Sequence, residues 1–141
     1  MSGVHRLPVA DRIEAVRTRM AAAAQRADRD PSDVQLIAVT KGTPATVVDQ
    51  AIAAGVEDVG ENRIQEAEDK HREVRGAATW HLIGHLQTNK AGRAAMLFDY
   101  VHSVDSRRVA DALSAHRPAG RDPLGVLLEV ELTGLASRTG V

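Results

Sequence analysis

An apolar run of strand character, followed by a helical pattern with its own start signal, recurs along this chain and restricts its fold more tightly than any other feature. The runs begin near Val34, Val56, Thr79, Tyr100 and Gly125, at spacings of 22, 23, 21 and 25 residues. Each spacing is the length of one βα unit. Successive parallel strands need a crossover of a dozen or more residues, so the repeat predicts an α/β fold built on a parallel sheet. The runs "VQLIAV" and "GVLLEV" fit strands covered on both faces. Ahead of the first unit, Ile13, Val16, Met20, Ala23, Ala24 and Ala27 recur at helical spacing and predict an N-terminal helix over "PVADRIEAVRTRMAAAAQRA".

The helices of the repeat carry their own punctuation. Thr43 and Pro44 read as N-cap and first helical residue, Val47, Val48, Ala51 and Ile52 as the buried stripe, and Gly55 as the residue that ends the helix. Asn62 with Gln65 has capping-box spacing, Ala67, His71 and Val74 continue one face, and Glu66 pairs with Lys70 at i,i+4. A third helix is expected over "NKAGRAAMLF", and a fourth over "SRRVADALSAHR", stopped by Pro118 and Gly120. Two architectures accommodate five such units. A doubly wound open sheet closes within this length, whereas an eight-stranded barrel needs about 250 residues and would be only partly present. Periodicity alone does not choose between them.

Composition narrows the partners. The 141 residues have room for a single domain of ordinary size. A net charge of −1, with both signs scattered, offers no basic field for nucleic acid or a membrane surface. The absence of cysteine excludes disulfides and thiolate chemistry. No segment approaches the roughly 20 apolar residues that span a bilayer, and "MSGVHRLPVADRIEAV" lacks a signal-peptide run, so the expected location is cytoplasmic.

Lys41 follows the first apolar run, at the carboxyl end of a strand, where parallel α/β folds place their chemistry. It is either a solvated ammonium or a partly desolvated amine able to condense with a carbonyl. At the end of the second unit, Gly60 admits close approach to the backbone, Glu61 is a site residue or a solvated turn residue, and Asn62 is either a ring-facing amide or a helix cap. In "TWHLIGHLQTNKAG", His81 and His85 would lie about 13 Å apart at strand spacing, which argues against a shared zinc ion. Gly84 ends that strand, Gln87, Thr88 and Asn89 supply capping or ligand-facing groups, and Trp80 and Leu82 suit the core. Ser103 beside His102 and Asp105 has only the composition of a hydrolytic triad, because strand neighbours alternate faces and no GxSxG elbow exists. Asp105 or Ser106 is the expected cap of the helix that follows.

Taken in order, "LIAVTKGTP", "VGENRIQEAEDK", "WHLIGHLQTNK", "VHSVDS" and "VLLEVELTGLASRTGV" resemble the pyridoxal phosphate homeostasis protein family, from about residue 8 to the last residue. That family's fold is similar to the N-terminal barrel of alanine racemase. The resemblance implies a (β/α)8 TIM-type barrel preceded by a helix, with residues 1–141 forming a partial domain of about five βα units. It implies that Lys41 holds pyridoxal 5′-phosphate covalently as a Schiff base, that Asn62 lies beside the ring, and that Gly84, His85 and Ser103 line the same mouth. Arg138 stands where family members often carry a lysine; it keeps a charge able to bind an anion but cannot form a Schiff base.

The family continues for three more units, which hold its phosphate-binding groups, so a truncated product with uncovered edges prone to self-association is expected. The implied function is a carrier in vitamin B6 homeostasis that holds the cofactor without substrate turnover and passes it to apo-enzymes. Two alternatives stay open. One is a racemase-like enzyme, which would need an acid/base pair in a chain whose only tyrosine is Tyr100; the other is a fragment without a ligand.

Overall fold

A computed structural model of the chain describes residues 7–135 and 138–141, so residues 1–6 and 136–137 of the expected domain lie outside the described residues. Its five strands are β1 (Ile37–Val39), β2 (Asp58–Glu61), β3 (Thr79–Leu82), β4 (Tyr100–Val104) and β5 (Gly125–Leu128). The helices are α1 (Val9–Arg26), α2 (Ala45–Ala53), α3 (Ile64–Glu73), α4 (Ala91–Leu97) and α5 (Arg107–His116), with short 3-10 turns at Pro31–Asp33 and Thr88–Lys90. All four strand pairings are parallel, and the strands lie in the order β1-β2-β3-β4-β5.

That order decides between the two architectures. A doubly wound sheet reverses direction at a switch point and puts helices on both faces. Consecutive order with right-handed crossovers keeps the helices on one face and turns the other toward a barrel interior. The fold is therefore a partial TIM-type α/β barrel, a five-strand arc with its helices outside.

The core lies between sheet and helices. Val59, Trp80, Leu82 and Val101 from the strands meet Val48, Ala67, Ala94, Val109 and Leu113 from the helices, with Phe98 fully buried at the end of α4. Ala91, Ala94 and Ala95 have no exposed surface, so α4 packs through methyl groups where larger side chains would hold it off. Ser106 caps α5 as expected, accepting from the Val109 N–H at 3.4 Å, and Gly55 ends α2 with φ 85°.

Several local expectations are corrected. The first strand is three residues, not six, because Val34 to Leu36 lead irregularly out of the 3-10 turn. The fifth is not covered on both faces: it is an edge strand paired only with β4, which leaves Val126, Leu127 and Leu128 49%, 45% and 67% exposed. Pro44 is the cap of α2 rather than its first residue, since its backbone is extended at φ −61°, ψ 148°. Arg63, not Asn62, precedes α3, and the buried stripe of that helix is Ile64, Ala67 and Lys70, with His71 exposed. The third helix of the repeat starts as the 3-10 turn Thr88–Lys90 before α4. Along α1 only Ala24 is buried and Val16 is exposed, because the helix packs chiefly on α2. Among the described residues no helix is long and apolar enough to cross a membrane.

Candidate functional site

The carboxyl ends of β1 to β4 collect most of the residues that sequence singles out. Thr40 extends the β1–β2 ladder by one bond, its N–H donating to the Gly60 carbonyl at 2.9 Å, and then the chain turns. The Thr43 N–H closes that turn on the Thr40 carbonyl at 3.0 Å, and Gly42 at the third position has φ 66°, as a type II turn requires. Lys41 is the second residue of the turn and is exposed to solvent.

A buried ionic circuit stands behind the turn. Lys70 Nζ lies 2.6 Å from Glu61 Oε1 and 2.7 Å from Glu66 Oε1, and it also donates to the Thr40 carbonyl. The Thr40 hydroxyl donates to Glu61, and Glu66 accepts from the Gly42 N–H. Glu61 has no exposed surface, which overturns its reading as a solvated turn residue, and its Oε2 is buried without a partner. The hydrogen bond from Lys70, and after it that from Gly42, holds the Glu66 carboxyl below the usual carboxylate range.

Asn62, Gly84 and Ser103 are brought together at the ends of the next three strands. Asn62 caps nothing: its Oδ1 is buried and accepts no hydrogen bond. A side chain at Gly84 would place its Cβ 2.1 Å from the Asn62 carbonyl oxygen, so only glycine fits against that backbone. The Ser103 hydroxyl donates to the Gly84 carbonyl at 2.7 Å, which ties β4 to the β3 terminus. His85 is exposed beside this group, with Nδ1 3.7 Å from Asp105 Oδ2. Arg138 is exposed in the segment after β5; its N–H donates to the Leu135 carbonyl at 3.0 Å, and among the described residues no hydrogen bond or ion pair ties its guanidinium to the other five.

Toward the amino ends of the strands runs a second polar chain. His81 Nε2 lies 2.8 Å from Asp58 Oδ1, its Nδ1 lies 2.9 Å from His102 Nε2, and the Tyr100 ring stacks on it at 4.7 Å and 8°. Burial, and then the neighbouring His81, push the His102 imidazole below the usual histidine range. His102 therefore bonds to His81, and Ser103 to Gly84, which leaves no hydrolytic triad.

Residues 12–141 match the profile of one protein family, described as alanine racemase, N-terminal domain. This chain belongs to the alanine racemase N-terminal domain family. Among members, the pyridoxal phosphate homeostasis protein of Pseudomonas aeruginosa is 47% identical over 133 residues, which is 94% of this chain and 58% of that protein. The solved structure of PipY from Synechococcus elongatus PCC7942 without PLP superimposes with a TM-score of 0.78 at 39% identity, covering 94% of this chain and 58% of PipY. PipY with PLP bound gives a TM-score of 0.75 at 40% identity, over 89% of this chain and 56% of PipY. The chain thus spans about 58% of the length of the curated family members it matches.

Sequence reasoning missed the part that Thr40, Glu61 and Lys70 play beneath the Lys41 turn. The i,i+4 pair of Glu66 with Lys70 forms as the spacing predicts, but the lysine is buried and also bonds Glu61 and the Thr40 carbonyl. The signal that would have found it is the i, i+3, i+6 stripe of Ile64, Ala67 and Lys70, which puts the lysine on the buried face of α3.

Proposed function

We propose that this chain binds pyridoxal 5′-phosphate as a Schiff base on Lys41 and serves vitamin B6 homeostasis, holding the cofactor without turning over a substrate and passing it to apo-enzymes. The observation that carries the reading is the position of Lys41: an exposed amine on a tight turn at the carboxyl end of β1, in a chain similar to a homologue solved with PLP bound.

The residues present fit such a group. Lys41 offers the amine, and Asn62, whose backbone lies against Gly84, offers a buried Oδ1 with no protein partner to lose. His85 and Ser103 border the same end of the sheet, and Arg138 supplies an exposed positive charge for an anion. The cofactor, when bound, supplies the aldehyde. Lys41 would supply the neutral amine for a condensation in which a C=N bond replaces C=O and the oxygen would leave as water with both amine hydrogens, so no oxidant or reductant would be needed.

Holding is favoured over racemisation by the place of Tyr100. It is the first residue of β4, a strand whose carboxyl end is Val104, and its ring is taken up by stacking on the buried His81 at 4.7 Å. Titration with pyridoxal 5′-phosphate tests the reading: the chain gains a visible imine band, and the Lys41→Ala variant does not. Amino acids incubated with the loaded chain in heavy water keep their α-proton. A band that survives Lys41→Ala, or α-proton exchange faster than with free cofactor, contradicts it.

A further inference from the structure

We propose that Glu66 and Lys70 of α3 are positioning residues for Lys41, bracing the turn that carries its amine from both sides. The inference rests on the Schiff-base reading given above and adds the device that aims the lysine.

The geometry is specific to the residues flanking Lys41. Lys70 Nζ donates to the carbonyl of Thr40, the residue before it, and Glu66 Oε1 accepts from the N–H of Gly42, the residue after it. The two side chains bond each other at 2.7 Å, one helical turn apart on α3, so the brace is a closed loop through both peptide groups. Glu61 anchors it from β2, taking Lys70 Nζ at 2.6 Å and the Thr40 hydroxyl on the same oxygen. Lys41 itself enters none of these bonds and is exposed.

Stability alone is a poor explanation for such a circuit. The Lys70 side chain is 9% exposed and that of Glu61 not at all, and burying a charged pair costs desolvation that its mutual attraction often fails to repay. An apolar pair of similar volume would fill the space behind β1 as well. What it would not do is grip the Thr40 carbonyl and the Gly42 amide. Gly42, at φ 66° with no atom near its missing Cβ, is the softest point of the turn, and an amine that must meet an aldehyde benefits from a fixed departure angle. Glu66, held below the usual carboxylate range by Lys70 and then by the Gly42 amide, keeps the charge the brace needs at neutral pH.

The test compares Glu66→Ala with Glu66→Gln in the full chain, using pyridoxal 5′-phosphate as the probe. Glutamine keeps an oxygen for the Gly42 N–H and for Lys70, whereas alanine removes it. Glu66→Ala is expected to weaken imine formation about tenfold and to speed hydrogen exchange of the Gly42 amide in the unliganded chain by a similar factor, as loss of a charged hydrogen-bond acceptor implies. Glu66→Gln restores both most of the way, and the far-ultraviolet dichroism of all three proteins matches. Wild-type affinity together with unaltered Gly42 exchange in Glu66→Ala overturns the brace. A wild-type chain without an imine band overturns the reading under Proposed function instead, and the brace then stands or falls on Gly42 exchange alone.

Discussion

His81 and His102 share one hydrogen bond, 2.9 Å between Nδ1 and Nε2, across the β3–β4 pair. Asp58 Oδ1 lies 2.8 Å from the other nitrogen of His81. A carboxylate can only accept, so His81 carries a proton on Nε2 and donates it to Asp58, and one of the two facing nitrogens, His81 Nδ1 or His102 Nε2, donates to the other. The Tyr100 ring stacks on His81 at 4.7 Å.

Acid should loosen this chain. Burial and the adjacent His81 depress the folded pKa of His102, so between that value and the unfolded one, about 6.5, the unfolded state binds a proton that the folded state does not. The associated stability is full above the unfolded value, falls as pH drops through the window, and levels off below the folded value. Urea midpoints measured from pH 8 to 5 should therefore decline for the wild type and decline less for His102→Asn. Identical slopes would remove His102 from the account.

Gly84→Ala forces a choice between two backbones. The added Cβ stands 2.1 Å from the Asn62 carbonyl oxygen and 2.9 Å from its Cα, and backbone cannot swing aside as a side-chain tip can. A loss of about 1–3 kcal/mol is expected, typical of an overpacked site. It is read from urea unfolding, and a variant as stable as the wild type would mean that β2 and β3 do not close on each other here.

Lys70→Met tests the buried circuit as a unit. It leaves Glu61, with no exposed surface, without its cation, which should cost about 3–5 kcal/mol. Adding Glu61→Leu removes the stranded charge, so the double variant should recover more than half of that loss in denaturant unfolding. A double variant as unstable as the sum of the two singles would contradict an ion pair that is desolvated on both sides.

How much of this was readable from sequence depended on the range of the signal. The βα repeat was legible because each unit announces itself within about 25 residues, through an apolar run and a cap such as Ser106. Barrel against open sheet was not, since strand order is a relation among distant segments that periodicity does not carry. Lys41 was found at a strand end, but its exposure depends on neighbours far along the chain. The cap reading of Asn62 failed and the reading of Lys70 was incomplete for a shared reason. Each satisfied a local rule, capping-box spacing for one and an i,i+4 pair for the other, while the tertiary partners that decide their roles, Gly84 for one and Glu61 with Thr40 for the other, lie on other strands.

The claim that all else leans on is the identity of the amine that captures the cofactor, and the chain has three lysines, Lys41, Lys70 and Lys90, among which to decide it. Borohydride reduction in the presence of pyridoxal 5′-phosphate, followed by peptide mapping, reads that identity directly. The account predicts a reduced adduct on Lys41, with Lys70 protected inside its ionic circuit and Lys90 at most weakly labelled. An unmodified Lys41, or equal labelling of all three, would contradict it.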